Sequence, residues 1–479
     1  MTVTVTPGIQ YQAMEGFGTA QRIFDDPHVC EKGVPRCNVP QGVREQIMRQ
    51  LYTDLGLTVV RSAAPDFIEP ENDNNDPNVF DWSKFRFEGK RNDGHVDYAK
   101  LAMRYGLTTP MLTGGPGDGP PSWLKPRDPN GPAEYAEHLL AAVMRWRDLG
   151  LAPPWISIMN EPSQKSEPFS GEFLRDTIKI LGRRLRSAGL QTKIQVPDDI
   201  NPARATEQAR VILADPEARQ YVRALSTHLY NAAPGDMERL RELASQHNVP
   251  LWMTEYSEEA KPPNYRHAFD FVTRIMHEML TRFHVSQFDY MSGFIGEWGN
   301  PIQNVGATFI VITFDASGNY VSHALNSVYY LFGQYSRSVR PGMIRMGARS
   351  TNPHVKVTAF RHPQTRAMTA VAINEEERDI PVTFDVSATG VREFPTVYRT
   401  SPTENWATLP PIRLAGLSFT TTLRGQSVTT FSTVEGRRLR PSSLPMPPRP
   451  SPVILVATGP LSLLLLAGFT ILCLRQRSK

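Results

Sequence analysis

Two glutamates at the ends of apolar runs are the residues of this chain best suited to chemistry. Glu161 follows the apolar run 156–159, and Glu255 follows the run 251–254. Short apolar runs of this kind are typical of buried strands in a parallel sheet. When such strands close into a barrel, their carboxyl ends form the floor of the active site. Two carboxylates held on different strands are what cleavage of a glycosidic bond requires.

Polar residues next to each glutamate extend this candidate site. Asn160 precedes Glu161 and can hydrogen-bond a sugar hydroxyl, a bond that strengthens as positive charge develops on the ring. Tyr256 follows Glu255. Pro162 directs the chain out of the strand after Glu161. Taken alone, an Asn-Glu-Pro segment is more often a turn that carries a solvated glutamate.

Three further side chains end other apolar runs. Arg61 ends one run, where a charge is costly unless a carboxylate pairs with it. We therefore expect Arg61 either to lie on the floor of the active site or to form a structural ion pair. His228 and Tyr230 end another run, where they can orient Glu255 or line a cleft. The alternative for His228 is a hydrogen-bonded core histidine.

Aromatic and metal-binding residues give weaker indications. Trp123 and Trp298 can stack on sugar rings, and ordinary packing is the alternative for both. His138 lies within a predicted helix and is expected at the surface. We find no His, Cys, Asp and Glu cluster with metal-ligand spacing, so no metal is predicted. The chemistry of the paired carboxylates requires no cofactor.

Eight strand-like runs alternate with amphipathic helical stretches in the first two thirds of the chain. The predicted strands are 14–18, 58–62, 109–113, 155–160, 193–197, 224–228, 251–255 and 291–297, and the clearest helices are 41–55, 133–149 and 172–188. This alternation predicts an α/β protein with a (β/α)8 TIM barrel over residues 13–325. A doubly wound open sheet is less favoured because no Gly-x-Gly-x-x-Gly turn follows a strand.

The remainder of the chain has a different sequence pattern. Residues 326–436 contain short β-rich runs between Gly, Asn and Pro turns, which predicts an appended all-β sandwich domain. Residues 1–12 alternate like a strand and are expected to join it. A proline-rich linker, 437–452, leads to an uncharged apolar run, 453–474, and a basic tail, 475–479. The apolar run is long enough for a C-terminal transmembrane helix.

Composition limits the possible partners and the compartment. The 479 residues carry a net charge of only +4, with no concentrated basic stripe, so a nucleic-acid partner is not predicted. The expected partners are a carbohydrate and the membrane, and the oligomeric state is left open. Cys30 and Cys37 bracket a turn-rich loop and either pair in an oxidising compartment or remain reduced. We expect a single-pass, membrane-anchored protein with an extracytoplasmic catalytic domain, although no signal peptide is visible.

The motifs together resemble glycoside hydrolase family 30 from about residue 15 to 432. The matching segments are Glu15-Gly16-Phe17-Gly18-Thr19-Ala20, Val60-Arg61-Ser62, Pro121-Ser122-Trp123-Leu124-Lys125, Ser157-Ile158-Met159-Asn160-Glu161-Pro162, Thr227-His228-Leu229-Tyr230, Trp252-Met253-Thr254-Glu255-Tyr256-Ser257 and Tyr335-Ser336-Arg337-Ser338-Val339-Arg340-Pro341-Gly342. The resemblance implies that Glu161 is the general acid/base and Glu255 the nucleophile. The glycine-rich segment 114–120 departs from the family pattern, which implies unusual substrate subsites.

The function predicted from these features is a retaining glycosidase that cleaves β-glycosidic bonds in a polysaccharide or oligosaccharide. Chains of the β-1,6-galactan, xylan and β-1,6-glucan type remain open as substrates. Two alternatives are a glucosylceramidase-like hydrolase of glycolipids and a non-catalytic carbohydrate-binding surface protein. The presence of both Glu161 and Glu255 argues against the non-catalytic alternative.

Overall fold

The computed structural model describes residues 1–20, 23–24, 37–64, 68–74, 76–115, 119–257, 264–298, 308–414 and 416–434, without the side chains of 90–92 and 297–298. The chain divides into a unit Met1–Arg438 and a unit Leu439–Lys479. Everything described below belongs to the first unit. It begins with a long strand, β1 (Thr2–Ala13), which belongs to a sheet formed mostly by the last third of the chain.

Eight parallel strands then close into a barrel, as the alternating pattern predicted. They are β2 (Gly16–Ala20), β3 (Val59–Ala64), β4 (Thr109–Gly114), β5 (Trp155–Ser157), β6 (Lys193–Asp199), β7 (Val222–His228), β8 (Leu251–Tyr256) and β9 (Val285–Tyr290). Each pairs with the next, and β2 closes the ring by pairing with β9. The strands are buried because helices cover the outside and side chains fill the inside.

Helices surround the barrel between these strands. They are α1 (Gln41–Met48), α2 (Lys90–Tyr105), α3 (Gly131–Asp148), α4 (Gly171–Ser187), α5 (Pro202–Ala214), α6 (Pro216–Arg219), α7 (Asp236–Gln246), α8 (Tyr265–Asp270) and α9 (His277–Thr281), with π-helical segments at Arg49–Asp54 and Phe271–Met276. In α4, the Ser170 hydroxyl accepts a hydrogen bond from the Phe173 backbone N–H at 3.3 Å and caps the first turn. Residues at helical spacing, such as Ile178 and Leu185, form its buried face.

The eighth barrel strand differs from the prediction. The run 291–297 was expected to fill that position, but β9 (Val285–Tyr290) does so. The predicted run overlaps instead with β10 (Phe294–Trp298), which pairs with β11 (Ile310–Phe314). Strand β11 also pairs with β12 (Tyr320–Leu325), and the three strands form a separate sheet. The physical reason is that β9 directs the polar side chains of Gln287 and Asp289 into the barrel, where both are fully buried. Because of these polar residues, the sequence of β9 is less hydrophobic than is typical of a buried strand, and the pattern favours the neighbouring β10.

A helix and a nine-stranded sheet follow. The helix is α10 (Ser327–Ser336), and the later strands are β13 (Ile344–Ser350), β14 (Val355–Arg361), β15 (Met368–Asn374), β16 (Ile380–Asp385), β17 (Glu393–Phe394), β18 (Thr396–Ser401), β19 (Glu404–Leu409), β20 (Ile412–Arg413), β21 (Ser418–Leu423) and β22 (Ser427–Ser432). The sheet order is β19-β18-β22-β15-β14-β13-β1-β16-β21. Strand β1 therefore lies between β13 and β16, so the first residues of the chain join this β-rich domain.

The nine-stranded sheet curls over a core of its own. The rings of Phe384 on β16 and Phe431 on β22 lie 5.1 Å apart, although several strands separate β16 from β22 in the sheet. Phe419 stacks on Phe384 at 4.9 Å from the neighbouring strand. Because the two ends of the sheet face each other across these rings, one continuous sheet encloses the core of the predicted sandwich.

Helix α10 joins the barrel to this sheet. Phe332 packs against Phe17 of β2 at a ring distance of 5.6 Å and belongs to the barrel core. On the sheet side, the Gln334 side-chain amide donates to the Thr400 hydroxyl at 2.8 Å. The Thr430 hydroxyl donates to the backbone carbonyl of Gln334 at 2.7 Å. One helix therefore contributes to both the barrel core and the sheet.

The prediction of a C-terminal transmembrane helix requires correction. Among the described ranges, no helix is both long and apolar enough to cross a bilayer. The predicted span, 453–474, lies outside the described residues, as do the linker 437–452 and the tail 475–479. The membrane partner and the membrane-anchored, single-pass localisation are withdrawn with it.

The cysteine prediction is only partly addressed by the structure. Cys37 is buried and disulfide-bonded. Cys30 lies outside the described residues. The pairing of Cys30 with Cys37 therefore stays a prediction.

Candidate active site

Glu161 lies in the loop that follows β5, at the carboxyl end of the barrel. Its backbone is left-handed, with φ 45° and ψ 61°, a conformation that non-glycine residues rarely adopt. Two hydrogen bonds hold it there: the Glu161 N–H donates to the Asp198 carbonyl at 2.9 Å, and the Asn160 N–H donates to the Gly114 carbonyl at 2.8 Å. Such strain persists when the surroundings over-determine it, and it is concentrated at functional sites.

Arg61 on β3 connects three groups at this end of the barrel. Its Nη1 donates to Glu255 Oε2 at 3.0 Å, and its Nη2 donates to Asp198 Oδ2 at 2.9 Å and to Asn160 Oδ1. The Arg61 side chain is only 5% exposed. The two carboxylates balance the buried charge and raise the pKa of Arg61, against the opposing effect of burial. The guanidinium is therefore permanently charged and fixed in position.

Asp198, at the end of β6, is the fully buried counterpart of Arg61. Besides Arg61, it accepts hydrogen bonds from the hydroxyl groups of Ser157, at 2.8 Å, and Thr254. Burial opposes ionisation of Asp198, but the charge of Arg61 and the hydrogen bonds outweigh burial and hold its pKa below the usual range. Asp198 is therefore a stable anion beneath the two glutamates.

His228, at the end of β7, lies between the carboxylates. Its Nδ1 is 2.7 Å from Glu161 Oε1, and its Nε2 is 3.6 Å from Asp198 Oδ1 and 4.0 Å from Glu255 Oε2. Burial lowers the pKa of His228, but the negative charges of Glu255 and Asp198 and the hydrogen bond to Glu161 dominate and raise it to about 9. At neutral pH the imidazole is therefore protonated and donates to Glu161.

Glu255 on β8 is held from two sides, and the two glutamates approach each other closely. Arg61 binds its Oε2, and the Tyr230 hydroxyl donates to its Oε1 at 3.2 Å. One carboxylate oxygen of Glu161, one of Glu255 and a ring nitrogen of His228 all lie within 4.8 Å of one another. The barrel thus brings together side chains from distant parts of the sequence.

This trio has the spacing of a metal-binding group, which the linear sequence did not reveal. Metal ligation by histidine requires an unprotonated ring nitrogen with a free lone pair. Because three carboxylates raise the pKa of His228 to about 9, the protonated form is favoured at neutral pH. We therefore interpret the trio of Glu161, His228 and Glu255 as an ion-paired network.

A cavity of about 480 Å³ opens on the Glu161 side of this network. Its walls include the loops after β4 and β5, with Asn160, Glu161, Lys125, Lys165 and Glu167 among the lining residues. Lys165 donates to the Gly115 carbonyl at 3.1 Å. Burial lowers the pKa of Lys165, and the nearby charge of Glu161 opposes that shift. The cavity is thus largely polar, and it reaches the carboxylate pair through Glu161.

The predicted aromatic residues occupy different surroundings. The ring of Tyr256 packs against Phe271 at 5.5 Å and against Tyr230 at 6.5 Å. Trp123 is half-buried next to the cavity loop, and its indole N–H donates to the Glu69 carbonyl at 2.9 Å. The backbone of Trp298 ends β10, and its side chain lies outside the described structure. Sugar stacking by Trp123 and Trp298 stays a prediction.

Sequence reasoning missed two residues of this region. Asp198 was overlooked because the predicted strand 193–197 ended at a proline, whereas β6 continues to Asp199. The signal was available in the two consecutive aspartates at a strand end. Lys165 was overlooked because a lysine in a loop is usually solvated. By contrast, Arg61, Asn160, His228 and Tyr230 all contact one of the two glutamates or bond to their network.

Comparison with known proteins supports the predicted resemblance. The chain is 23% identical to "Putative glucosylceramidase 4" of Caenorhabditis elegans over 432 residues, which is 81% of this chain and 79% of that protein. It is 23% identical to the glucuronoxylanase XynC of Bacillus subtilis (strain 168) over 352 residues, or 70% of this chain and 76% of the relative. No family model matches the chain.

Solved structures show the same architecture. The catalytic domain of the family 30 xylanase C of Talaromyces cellulolyticus superimposes with a TM-score of 0.71 at 18% identity. The match covers 90% of this chain and 99% of the xylanase domain. At this identity the likeness establishes the fold. The resemblance to glycoside hydrolase family 30 predicted from the motifs is thus confirmed, and this chain is similar to that family in sequence and has its fold.

Proposed function

We propose that this protein is a retaining glycoside hydrolase that cleaves β-glycosidic bonds in a polysaccharide or oligosaccharide of the β-1,6-galactan, xylan or β-1,6-glucan type. The observation that carries the proposal is the pair Glu161 and Glu255, with one oxygen of each within 4.8 Å at the carboxyl end of the barrel. Carboxyl groups about 5–5.5 Å apart are typical of retention, whereas inverting enzymes leave room for a water molecule at about 6.5–9.5 Å.

In the first step Glu255 attacks the anomeric carbon while Glu161 protonates the departing glycosidic oxygen. The bond from the anomeric carbon to that oxygen breaks, and an ester bond to Glu255 forms. Arg61 and Tyr230 hold the two oxygens of Glu255, which keeps the carboxylate oriented for attack. His228 donates to Glu161 Oε1 and leaves the other oxygen for the leaving group.

In the second step Glu161 acts as a base. It takes a proton from water, the water oxygen attacks the anomeric carbon, and the ester bond to Glu255 breaks. Two displacements on the same carbon restore the β-configuration. Asn160, held by Arg61, is in position to bond the sugar next to the ester.

A glycolipid hydrolase is the second candidate, because one relative carries the name "Putative glucosylceramidase 4". The cavity beside Glu161 favours the polysaccharide candidate. Lys125, Lys165 and Glu167 line it, and such polar walls suit further sugar units better than a ceramide. Assaying the purified protein on xylan, β-1,6-glucan, β-1,6-galactan and glucosylceramide, with product sizes measured, separates the two.

Substitution of the glutamates tests the catalytic roles. We expect Glu161→Gln and Glu255→Gln each to lower turnover of natural substrates by at least about 100-fold, because each removes a proton donor or a nucleophile. Glu161→Gln should still form the glycosyl-enzyme from an aryl glycoside whose leaving group needs no protonation. Glu242→Gln is the matched control, since it removes an exposed carboxylate of α7 that does not line the cavity. Near-normal turnover by either glutamate variant would refute the assignment.

The anomeric configuration of the first product tests retention. We expect ¹H NMR of a fresh reaction to show the β-anomer before mutarotation produces the α-anomer, because the proposed reaction has two displacements. An α-anomer formed first would mean single displacement by water, and Glu255 would then be a base.

A further inference from the structure

A second group of carboxylates lies outside the candidate active site, between the loop after β3 and helix α3. Asp73 belongs to the loop, and Glu134 and Glu137 lie on one face of α3, three residues apart. One oxygen from each lies within 4.8 Å of the other two. All three residues are buried: Asp73 is 8%, Glu134 4% and Glu137 1% exposed.

The Glu137 carboxylate is an independent indication that a ligand belongs here. Both of its oxygens are buried, and neither has a hydrogen-bond partner among the described residues. The same is true of Asp73 Oδ1, whereas Asp73 Oδ2 accepts a bond from the Asp81 N–H. An ionised carboxylate buried without partners is strongly destabilising, so such a group either holds a proton or binds a cation.

Neighbouring positive charges do not balance this cluster. His138 is fully buried, contrary to its predicted surface position, and its Nδ1 pairs with Glu69 Oε2 at 3.0 Å. The charge of Arg184 opposes the rise in the pKa of both glutamates, but its guanidinium donates to the backbone carbonyls of Ala133, at 2.9 Å, and Pro77. Burial and mutual repulsion raise the pKa of Glu137 to about 8 and that of Glu134 to about 7.

We propose that Asp73, Glu134 and Glu137 bind one divalent cation, with calcium preferred. An all-oxygen set is typical of calcium or magnesium. Magnesium usually keeps several of its waters and is bound through one or two carboxylates. Three buried carboxylates with oxygens within 4.8 Å of one another suit calcium better, because calcium accepts more protein ligands in a flexible geometry.

The position of the site gives the cation a structural role. It would connect the loop after β3 to the first turns of α3. Through Glu69, whose carbonyl accepts the Trp123 indole N–H, the same loop is bonded to the segment that lines the cavity beside Glu161. Calcium is therefore expected to stabilise the fold and the walls of the cavity without contacting the substrate.

Metal content and calorimetry of the full-length protein test this proposal. After EDTA treatment and dialysis against CaCl₂ or MgCl₂, we expect one calcium per chain by elemental analysis and weaker retention of magnesium. Calcium should raise the Tm, because it binds the folded protein in preference to the unfolded chain. Because loss of an outer-shell partner alone costs about 10–100-fold, Glu137→Gln and Asp73→Asn should weaken calcium binding by at least about 100-fold.

The matched control is Asp148→Asn, which removes an exposed carboxylate from the last turn of the same helix and should bind calcium like the wild type. Absence of bound calcium and an unchanged Tm in the wild-type protein would overturn the proposal, whether or not the variants fold. In that case the carboxyls share protons, and Glu137→Gln should leave the Tm unchanged or raise it.

Discussion

At the scale of single residues, Asp198 organises the polar end of the barrel. It is fully buried and accepts hydrogen bonds from Arg61, Ser157 and Thr254, which belong to three different strands. Arg61 in turn binds Glu255. A buried ion pair of this kind contributes little net stability, but removing one partner leaves an uncompensated charge. Asp198 is therefore a positioning residue that fixes Arg61, and through it the proposed nucleophile.

His228 makes the stability of the protein depend on pH. Its pKa rises from 6.5 to about 9 in the folded chain because Glu255, Asp198 and Glu161 outweigh the effect of burial. Between these pH values the folded state holds a proton that the unfolded state releases, so the free energy of unfolding falls as pH rises. The contribution, fully present below about pH 6.5 and lost above about pH 9, is on the order of 3 kcal/mol.

Urea unfolding at pH 6, 7, 8 and 9 measures this effect. Glu137 has a raised pKa and changes stability in the same direction, so the difference between wild type and His228→Gln isolates the histidine. That difference should shrink as pH rises. His354→Gln, at an exposed position, should keep the wild-type slope. Parallel pH profiles for wild type and His228→Gln would contradict the prediction.

The side chains around the glutamates could be found from sequence because strand ends converge in a barrel. From their positions at strand ends, that rule predicted that Arg61, His228 and Tyr230 lie near the glutamates. It could not give Asp198, because nothing local distinguishes a buried aspartate after a proline from a solvated loop residue. Nor could it give the cluster of Asp73 with Glu137, since a loop and a helix meet there only through the fold.

At the scale of elements, the eighth barrel strand is the one that the hydrophobic pattern predicted wrongly. Seven predicted strands overlap observed ones, and each of them contains buried apolar residues that mark it in the sequence. In β9, Ser286, Gln287 and Asp289 are all buried. The interior of the barrel accepts polar groups near Arg61, so hydrophobicity underestimates strands that line it. The hydrophobic pattern therefore favours the neighbouring and more apolar β10 as the eighth strand.

Helix α10 provides a test of how tightly elements pack. A Cβ added to Gly333 would lie 2.3 Å from Cζ2 of Trp406, whose indole N–H is fixed on the Tyr330 carbonyl at 2.7 Å. We expect Gly333→Ala to destabilise the protein, because overpacking of about 1–3 kcal/mol exceeds the helix preference of alanine of about 1 kcal/mol. The readout is the midpoint of thermal or urea unfolding.

Gly42 in α1 is the matched control for this substitution. It is exposed, and nothing lies within 4 Å of the position of its added Cβ. Gly42→Ala should therefore stabilise the protein by up to about 1 kcal/mol. Equal effects of the two substitutions would show that Trp406 moves aside and that the contact between α10 and the sheet is loose.

At the scale of the whole molecule, one face of the nine-stranded sheet packs into the core of the barrel, while the other face forms the sheet's own core. Phe332 and Tyr335 of α10 and Val371 and Val428 of the sheet belong to the same buried cluster as the barrel helices. We expect the full-length protein to unfold in a single calorimetric transition, with equal van't Hoff and calorimetric enthalpies. A fragment containing residues 14–325 should fail to fold, because it lacks α10. Two separate transitions, or a folded fragment, would contradict this expectation.

The position of β1 has a consequence for how the chain is made. Strand β1 is synthesised before the barrel, yet its neighbours β13 and β16 are synthesised near the end. During translation, β1, with its apolar residues Val3 and Val5, therefore has no partner strand until about three hundred further residues have left the ribosome. A nascent chain released before β16 would carry an open strand edge that can pair with other chains. Premature termination is thus expected to yield aggregates, so the segment from β13 to β16 determines the solubility of a strand synthesised long before it.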